Sequence, residues 1–205
     1  RYSTPQYGLI QKTVLNVAGQ PVEEWAYNVT TIFGKTTYEY DAIGRLTHQE
    51  VFAVSGGVVS ANSLATVYEY DAAGRQSKVT YPSGAYTKTE YDAAGRTLTI
   101  QECVAHGDSG DAVVEQVEHV YDAAGRLILT TTFERKHTDG ISGTAGALKL
   151  KDEQGNDNSW ATPVAYRYDA AGRLERTINF GRDTGTNSYV YEYEETEDQW
   201  VLKDT

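Results

Sequence analysis

Methionine is absent, cysteine occurs once, proline four times, phenylalanine four times and tryptophan three times in 205 residues. A lone Cys103 excludes an intrachain disulfide framework and a cysteine-based zinc site. An extracellular location stays compatible with that, because a large repetitive β-sheet holds together without disulfides. No apolar run approaches the roughly 20 residues of a membrane-spanning helix, and no signal-peptide pattern is present. The chain opens on Arg1 without an initiator methionine, and is read as a processed product or an excised fragment. Positive charge is also scarce. Eighteen Lys and Arg stand against 29 Asp and Glu, a formal net charge of −11. Binding to a phosphate backbone takes clustered Lys and Arg, so a nucleic-acid partner is not expected.

What the chain does have is tyrosine (16) and glycine (19). That balance points to a sheet-rich, turn-rich, all-β chain, long enough for one large domain or two small ones. One hexad dominates. Tyr70-Asp71-Ala72-Ala73-Gly74-Arg75 returns as Tyr91-Asp92-Ala93-Ala94-Gly95-Arg96, as Tyr121-Asp122-Ala123-Ala124-Gly125-Arg126 and as Tyr168-Asp169-Ala170-Ala171-Gly172-Arg173. A near copy, Tyr40-Asp41-Ala42-Ile43-Gly44-Arg45, precedes them. Successive copies are 30, 21, 30 and 47 residues apart. Fixed spacing within a motif and variable spacing between motifs mark a repeat architecture.

The hexad reads as a hairpin turn. Asp at the first position of a type I turn accepts from the backbone two residues on, the two small residues point to solvent, and Gly supplies positive φ for a following bulge. Asp and Arg then sit opposite each other, and Tyr faces the residue after Arg. The shortest interval shows the unit: Arg75 to Tyr81 as a strand, Pro82-Ser83-Gly84 as a second turn, and Ala85 to Tyr91 as the returning strand. Longer intervals place their extra residues (Ser55–Ser63, His106–Ala112 and Lys136–Thr162) at the edge opposite the motif. The last of these is expected to pack against neighbouring sequence or neighbouring chains.

Strand periodicity puts Tyr38/Tyr40, Tyr68/Tyr70 and Tyr166/Tyr168 on one face. The expectation is an aromatic ladder across repeats, with the Asp/Arg pairs lining the other face as a charged ribbon. Residues 1–35 contain no copy of the hexad and read as a divergent N-terminal hairpin or cap, with Ala18-Gly19-Gln20-Pro21 as its turn. Residues 36–193 form the array, with long loops at 53–66, 103–116 and 134–163. Tyr189 to Tyr193 resembles a sixth entry strand after an Asp183-Thr184-Gly185 turn. Residues 194–205 are a degenerate final strand, with Trp200-Val201-Leu202 on the return.

Tyr-Asp-x-x-Gly-Arg-Leu, with Tyr-Pro-Ser-Gly between copies, resembles the RHS or YD repeat over roughly residues 36 to 193. That family includes bacterial polymorphic toxins, insecticidal toxin-complex subunits, wall-associated proteins and the animal teneurins. The resemblance implies tandem β-hairpins in a curved, spiralling antiparallel sheet, a segment of a β-shell. Such a shell encloses a toxic C-terminal domain or serves as a rigid extracellular scaffold. The chain shows no match to the Pro- and Gly-rich segment that caps and self-cleaves family shells, and no toxin domain. Ten to twelve strands at about 4.8 Å make a sheet only about 50 Å wide, too narrow to close around a cargo.

The resemblance therefore implies a non-enzymatic structural module of a secreted or cell-surface bacterial protein. Its partners would be neighbouring repeats, copies of itself, an enclosed toxin domain or a cell-surface glycan. Alternatives are a self-assembling extracellular subunit and an adhesive, glycan-binding module. No cofactor, metal or catalytic set is expected. Gly107-Asp108-Ser109-Gly110 resembles the nucleophile segment of trypsin-like proteases, but reads as a turn-forming loop, because His106 cannot easily reach back as a base. His48, His106, His119 and His137 lack metal-ligand spacing. Residues 152–158 form an oxygen-rich acidic loop without the order of an EF-hand, so calcium there is an open alternative to a solvated loop. Five copies of one Asp/Arg pair say scaffold.

Overall fold

A computed structural model describes residues 8–105, 111–136, 148, 159–182, 189–194 and 199–204. Among them every regular element is a strand, as the scarcity of helix-forming runs and the abundance of Tyr, Thr and Val require. The chain divides into two units, residues 1–84 and 85–205. Strand order follows chain order in both, and the characterised pairings are antiparallel between consecutive strands. The fold is the expected one, tandem hairpins in an antiparallel sheet.

The first unit holds β1 (Ile10–Leu15), β2 (Pro21–Tyr27), β3 (Ile32–Tyr40), β4 (Leu46–Ser55), β5 (Val58–Tyr70) and β6 (Gln76–Thr80). Residues 53–66, expected as a loop, are mostly strand. β4 and β5 pair through Val54↔Val59 and Ser55↔Val58, leaving only Gly56 and Gly57 as the turn. Both glycines have positive φ (59° and 81°), so a tight turn closes a lengthened hairpin and the insertion is spent on pairing. No described residue of this unit is buried; both faces stay partly open to solvent.

The second unit holds β7 (Tyr86–Tyr91), β8 (Thr97–Ala105), β9 (Asp111–Tyr121), β10 (Leu127–Arg135), β11 (Ser159–Tyr168) and β12 (Leu174–Asn179). A separate pair, β13 (Tyr189–Glu194) and β14 (Gln199–Asp204), carries Tyr193 opposite Trp200. Residues 103–116, also expected as a loop, are again largely strand: β8 and β9 pair out to Ala105↔Asp111. The second unit also has a core. Buried and part-buried positions alternate along β10 and β11 with the period of two that a one-face-covered sheet demands. Tyr86, Cys103, Val113, Phe133 and Ala161 form that core together with Leu148, a residue of the 136–162 insertion with no exposed surface.

Leu148 is held by its backbone as well. Gln116, 1% exposed, accepts from the Leu148 N–H at 3.1 Å and donates to the Leu148 carbonyl at 3.2 Å. The same carboxamide accepts from Gln101 at 2.8 Å and donates to Glu118 at 2.6 Å, so this buried polar group is fully satisfied. The insertion packs on its own sheet at this point. Pro163 is tolerated within β11 because its nitrogen, on the side of its carbonyl, faces the end of β12, where the carbonyl accepts from Phe180.

Candidate functional site

The five hexads adopt one geometry. The Asp N–H donates to the Arg carbonyl at 2.8–2.9 Å, and the Gly N–H donates to the Asp carbonyl at 2.8–3.1 Å. Gly44, Gly74, Gly95, Gly125 and Gly172 have φ between 77° and 87°. This is a type I turn closed by a bulge, as Asp-x-x-Gly requires. Both carboxylate oxygens are used locally. Oδ1 accepts from the Arg N–H at 2.8–2.9 Å, and Oδ2 pairs with Arg Nε at 2.6–2.8 Å. The residues between Asp and Gly are exposed throughout.

These contacts set the charge state of the aspartates. Asp41, Asp71, Asp92, Asp122 and Asp169 are all held below the usual carboxylate range. At Asp41, Asp71, Asp92 and Asp169 the largest cause is the hydrogen bond from the Arg backbone, and the Arg side chain adds to it. At Asp122 burial is the largest influence and pushes upward, but the Arg126 backbone and side chain together outweigh it.

Three of these turns also grip the tyrosine of the next. The Tyr70 hydroxyl donates to the Leu46 carbonyl at 2.8 Å, Tyr121 to Thr97 at 2.8 Å, and Tyr168 to Leu127 at 2.9 Å. Over each of these rings lies the guanidinium of the preceding hexad. Arg45 is 4.4 Å from the Tyr70 centroid, Arg96 is 4.6 Å from Tyr121, and Arg126 is 4.9 Å from Tyr168. A tyrosine is thus clasped by the Arg of one turn and the carbonyl that follows it. Each cation–π contact contributes about 0.5–1 kcal/mol at such partly exposed sites. Each hydroxyl bond contributes about 1 kcal/mol. The glycine has a second role here: a Cβ at Gly125 would meet Arg96 Nη1 at 3.1 Å.

This arrangement corrects the expected aromatic ladder. Among the described residues guanidinium groups, not further tyrosines, lie over the rings of Tyr70, Tyr121 and Tyr168. The Asp/Arg pairs do not form a separate ribbon either, because Arg leans over the ring of the next repeat. Planar, weakly hydrated guanidinium suits an aromatic face better than a second ring at strand spacing. In the first two Tyr-x-Tyr pairs the outer Tyr has its own polar partner. Tyr38 donates to Glu24 at 2.7 Å; burial first and this bond second push its pKa up to about 12. Tyr68 donates to Gln49 at 3.2 Å.

The N-terminal turn expected at Ala18–Pro21 lies at Asn16–Gln20 and is a sixth copy of the hexad turn. Asn16-Val17-Ala18-Gly19-Gln20 folds as the same turn. Asn16 donates to the Gln20 carbonyl at 2.8 Å, Gly19 to the Asn16 carbonyl at 3.0 Å, and Asn16 Oδ1 accepts from Gln20 N–H at 3.0 Å. Gly19 has φ 79°. The Asn16 and Gln20 side chains bond at 3.2 Å, in place of the Asp–Arg ion pair. The copy is also linked forward, with Tyr40 donating to the Pro21 carbonyl at 2.8 Å and Gln20 Nε2 to the Gly44 carbonyl at 2.7 Å. The signal was there: Asn-x-x-Gly-Gln is the hexad core with both charges neutralised.

The remaining candidates do not converge on a chemical centre. His119 approaches Thr130 at 3.1 Å and burial lowers its pKa, while His48 lies beside Glu39 on the sheet. Among the described residues no group of three or more His, Cys, Asp or Glu is placed to hold a metal ion. His106, Gly107-Asp108-Ser109-Gly110, His137, the acidic stretch 152–158 and the Asp183-Thr184-Gly185 turn lie outside the described residues.

Residues 57–86 and 70–102 match the family model described as RHS Repeat. The chain resembles RHS/YD repeat proteins, and toxin-complex subunits among them. It aligns over 95% of its length with the crystal structure of TcdB2-TccC3-TEV, at 19% identity and a TM-score of 0.57. With TcdB2-TccC3-Cdc42 it aligns over 95% of its length at 14% identity and a TM-score of 0.43. At such identities the likeness speaks for the fold alone, and only the first score supports even that. The chain spans 9% and 10% of these two structures. No curated protein matches.

Proposed function

We propose that this RHS-repeat chain is a non-enzymatic stretch of wall in a secreted or surface-exposed bacterial protein of the toxin-enclosing kind. That it is a structural repeat module rests on the matched repeats and the shared fold. The observation that carries the wall reading is the indifference of the clasp to chain separation. The tyrosine-to-carbonyl links span 19, 24, 24 and 41 residues, yet their lengths stay within 2.8–2.9 Å. An edge held constant while the sequence between its points of contact varies freely is what a continuous wall needs.

The same geometry argues against catalysis by the hexads. A general acid or base works best with a pKa near the operating pH. These five aspartates are driven the other way, and both oxygens of each are already engaged. The twenty residues of the five hexads, Tyr, Asp, Gly and Arg in each, act in this proposal as structural positions. The array of 36–193 extends back to the neutral turn at Asn16–Gln20, and function specific to this protein sits at the opposite, variable edge. An enclosed toxin domain is the partner this reading favours over a cell-surface glycan. Electron microscopy of the chain joined to its flanking gene sequence tests it. A hollow wall continuous through these repeats is expected; a solid particle or an open filament contradicts it.

A further inference from the structure

Among the described residues three tyrosine clasps are filled, Arg45/Leu46 holding Tyr70, Arg96/Thr97 holding Tyr121 and Arg126/Leu127 holding Tyr168, and at a fourth site the Pro21 carbonyl holds the Tyr40 hydroxyl. One more is built in the same way. Asp169 Oδ1 accepts from the Arg173 N–H at 2.9 Å, Oδ2 pairs with Arg173 Nε at 2.8 Å, and Gly172 has φ 77°. Yet the Arg173 side chain is 81% exposed, against 31–35% for its four counterparts. Leu174, whose carbonyl would be the acceptor, is 55% exposed, and five of the six residues of β12 are exposed. Among the described residues no ring lies over Arg173.

The four occupied sites define the occupant: a tyrosine ending a strand that runs antiparallel to the one leaving the clasp. In sequence, Tyr189-Val190-Tyr191-Glu192-Tyr193 ends on the Tyr-x-Tyr pattern of residues 38–40, 68–70 and 166–168. Tyr193 follows Arg173 by 20 residues, the separation of Tyr40 from Gln20. Among the described residues β13 pairs with β14 alone. A second copy offering its edge strand β1 would bring Leu15 to this position, which has neither a hydroxyl nor a π face.

We propose that the Arg173 guanidinium and the Leu174 carbonyl form a further tyrosine clasp whose occupant is Tyr193, so that β13 adds to β12 and the β13–β14 hairpin continues the array. Hydrogen exchange resolved over residues 174–179 of the whole chain tests this. The β12 amides that do not bond β11 are expected to exchange at least about tenfold more slowly than in Tyr193→Ala or Arg173→Ala. Tyr193→Phe, which keeps the ring and loses only the hydroxyl, is expected to fall between. Exchange at residues 86–135 serves as the folding control and is expected to be unchanged. Equal exchange in all chains overturns the proposal, as does slowing that survives Tyr193→Ala. Slowing that grows with protein concentration assigns the edge to a second copy and overturns it too.

Discussion

The two units build the same turns and differ in what lies over the strands. In residues 8–84 no described residue is buried, and order rests on cross-strand pairing, the clasps at Tyr40 and Tyr70, and local contacts such as Lys35 between the rings of Trp25 and Phe52, 4.9 Å from each centroid. In the second unit a residue of the 136–162 insertion lies on the sheet, and a core forms beneath it. Repetition therefore supplies the hairpin edge, and insertion supplies the core. Stability should be unevenly shared, with local opening easier in the first unit than along β8 to β11.

That asymmetry is most sharply tested at Leu148. Leu148→Ala removes a fully buried side chain and is expected to cost about 2–5 kcal/mol. Residue-resolved hydrogen exchange should show the loss over β8–β11 and no change over β1–β6. A loss spread evenly over both units would break the comparison. Next comes Gly125→Ala, which forces a Cβ into positive φ and against Arg96 Nη1, expected to cost about 1–2 kcal/mol or more. Gly19→Ala has the same backbone problem with nothing within 4 Å, so its cost should be smaller in a thermal melt. Smaller again, Tyr70→Phe and Tyr121→Phe should each cost about 1 kcal/mol despite lying in different units. Unequal costs in urea titrations would show that the clasp depends on the core.

Acid provides a gentler probe. The hexad aspartates are held low in the folded chain, so the stability they contribute is complete above the ordinary carboxylate pKa. It is lost as pH falls through the lowered folded values. Exchange at the turns around Asp41, Asp71, Asp92, Asp122 and Asp169 should accelerate there. The Asn16–Gln20 turn has no group titrating in that range and should hold its protection. Equal acceleration at all six turns would mean the ion pairs contribute nothing specific.

Much of this was legible in the sequence because the repeat is local. Asp-x-x-Gly fixes its own turn, and five copies fix the edge on which those turns lie. What escaped was set by contacts remote in sequence. Nothing around Arg45 announces that it will lie over Tyr70, since that depends on strand spacing and on the guanidinium's preference for a ring. Gln116 reads as one more polar strand residue until Leu148 arrives 32 positions later. Gly, Ser and Asp content predicts loops at 53–66 and 103–116. Val51, Val54, Val58 and Val59 instead carried the pairing onward in the first case. Asn16–Gln20 carries neither charge of the hexad, so its kinship lies in the backbone geometry that Asn-x-x-Gly dictates.

The central claim is that Arg of one turn and Tyr of the next are one interaction. A double-mutant cycle on Arg96→Ala and Tyr121→Ala, read by chemical unfolding, tests it most directly. A coupling energy of about 0.5–1 kcal/mol is predicted. Strict additivity of the two losses, within about 0.3 kcal/mol, would contradict it.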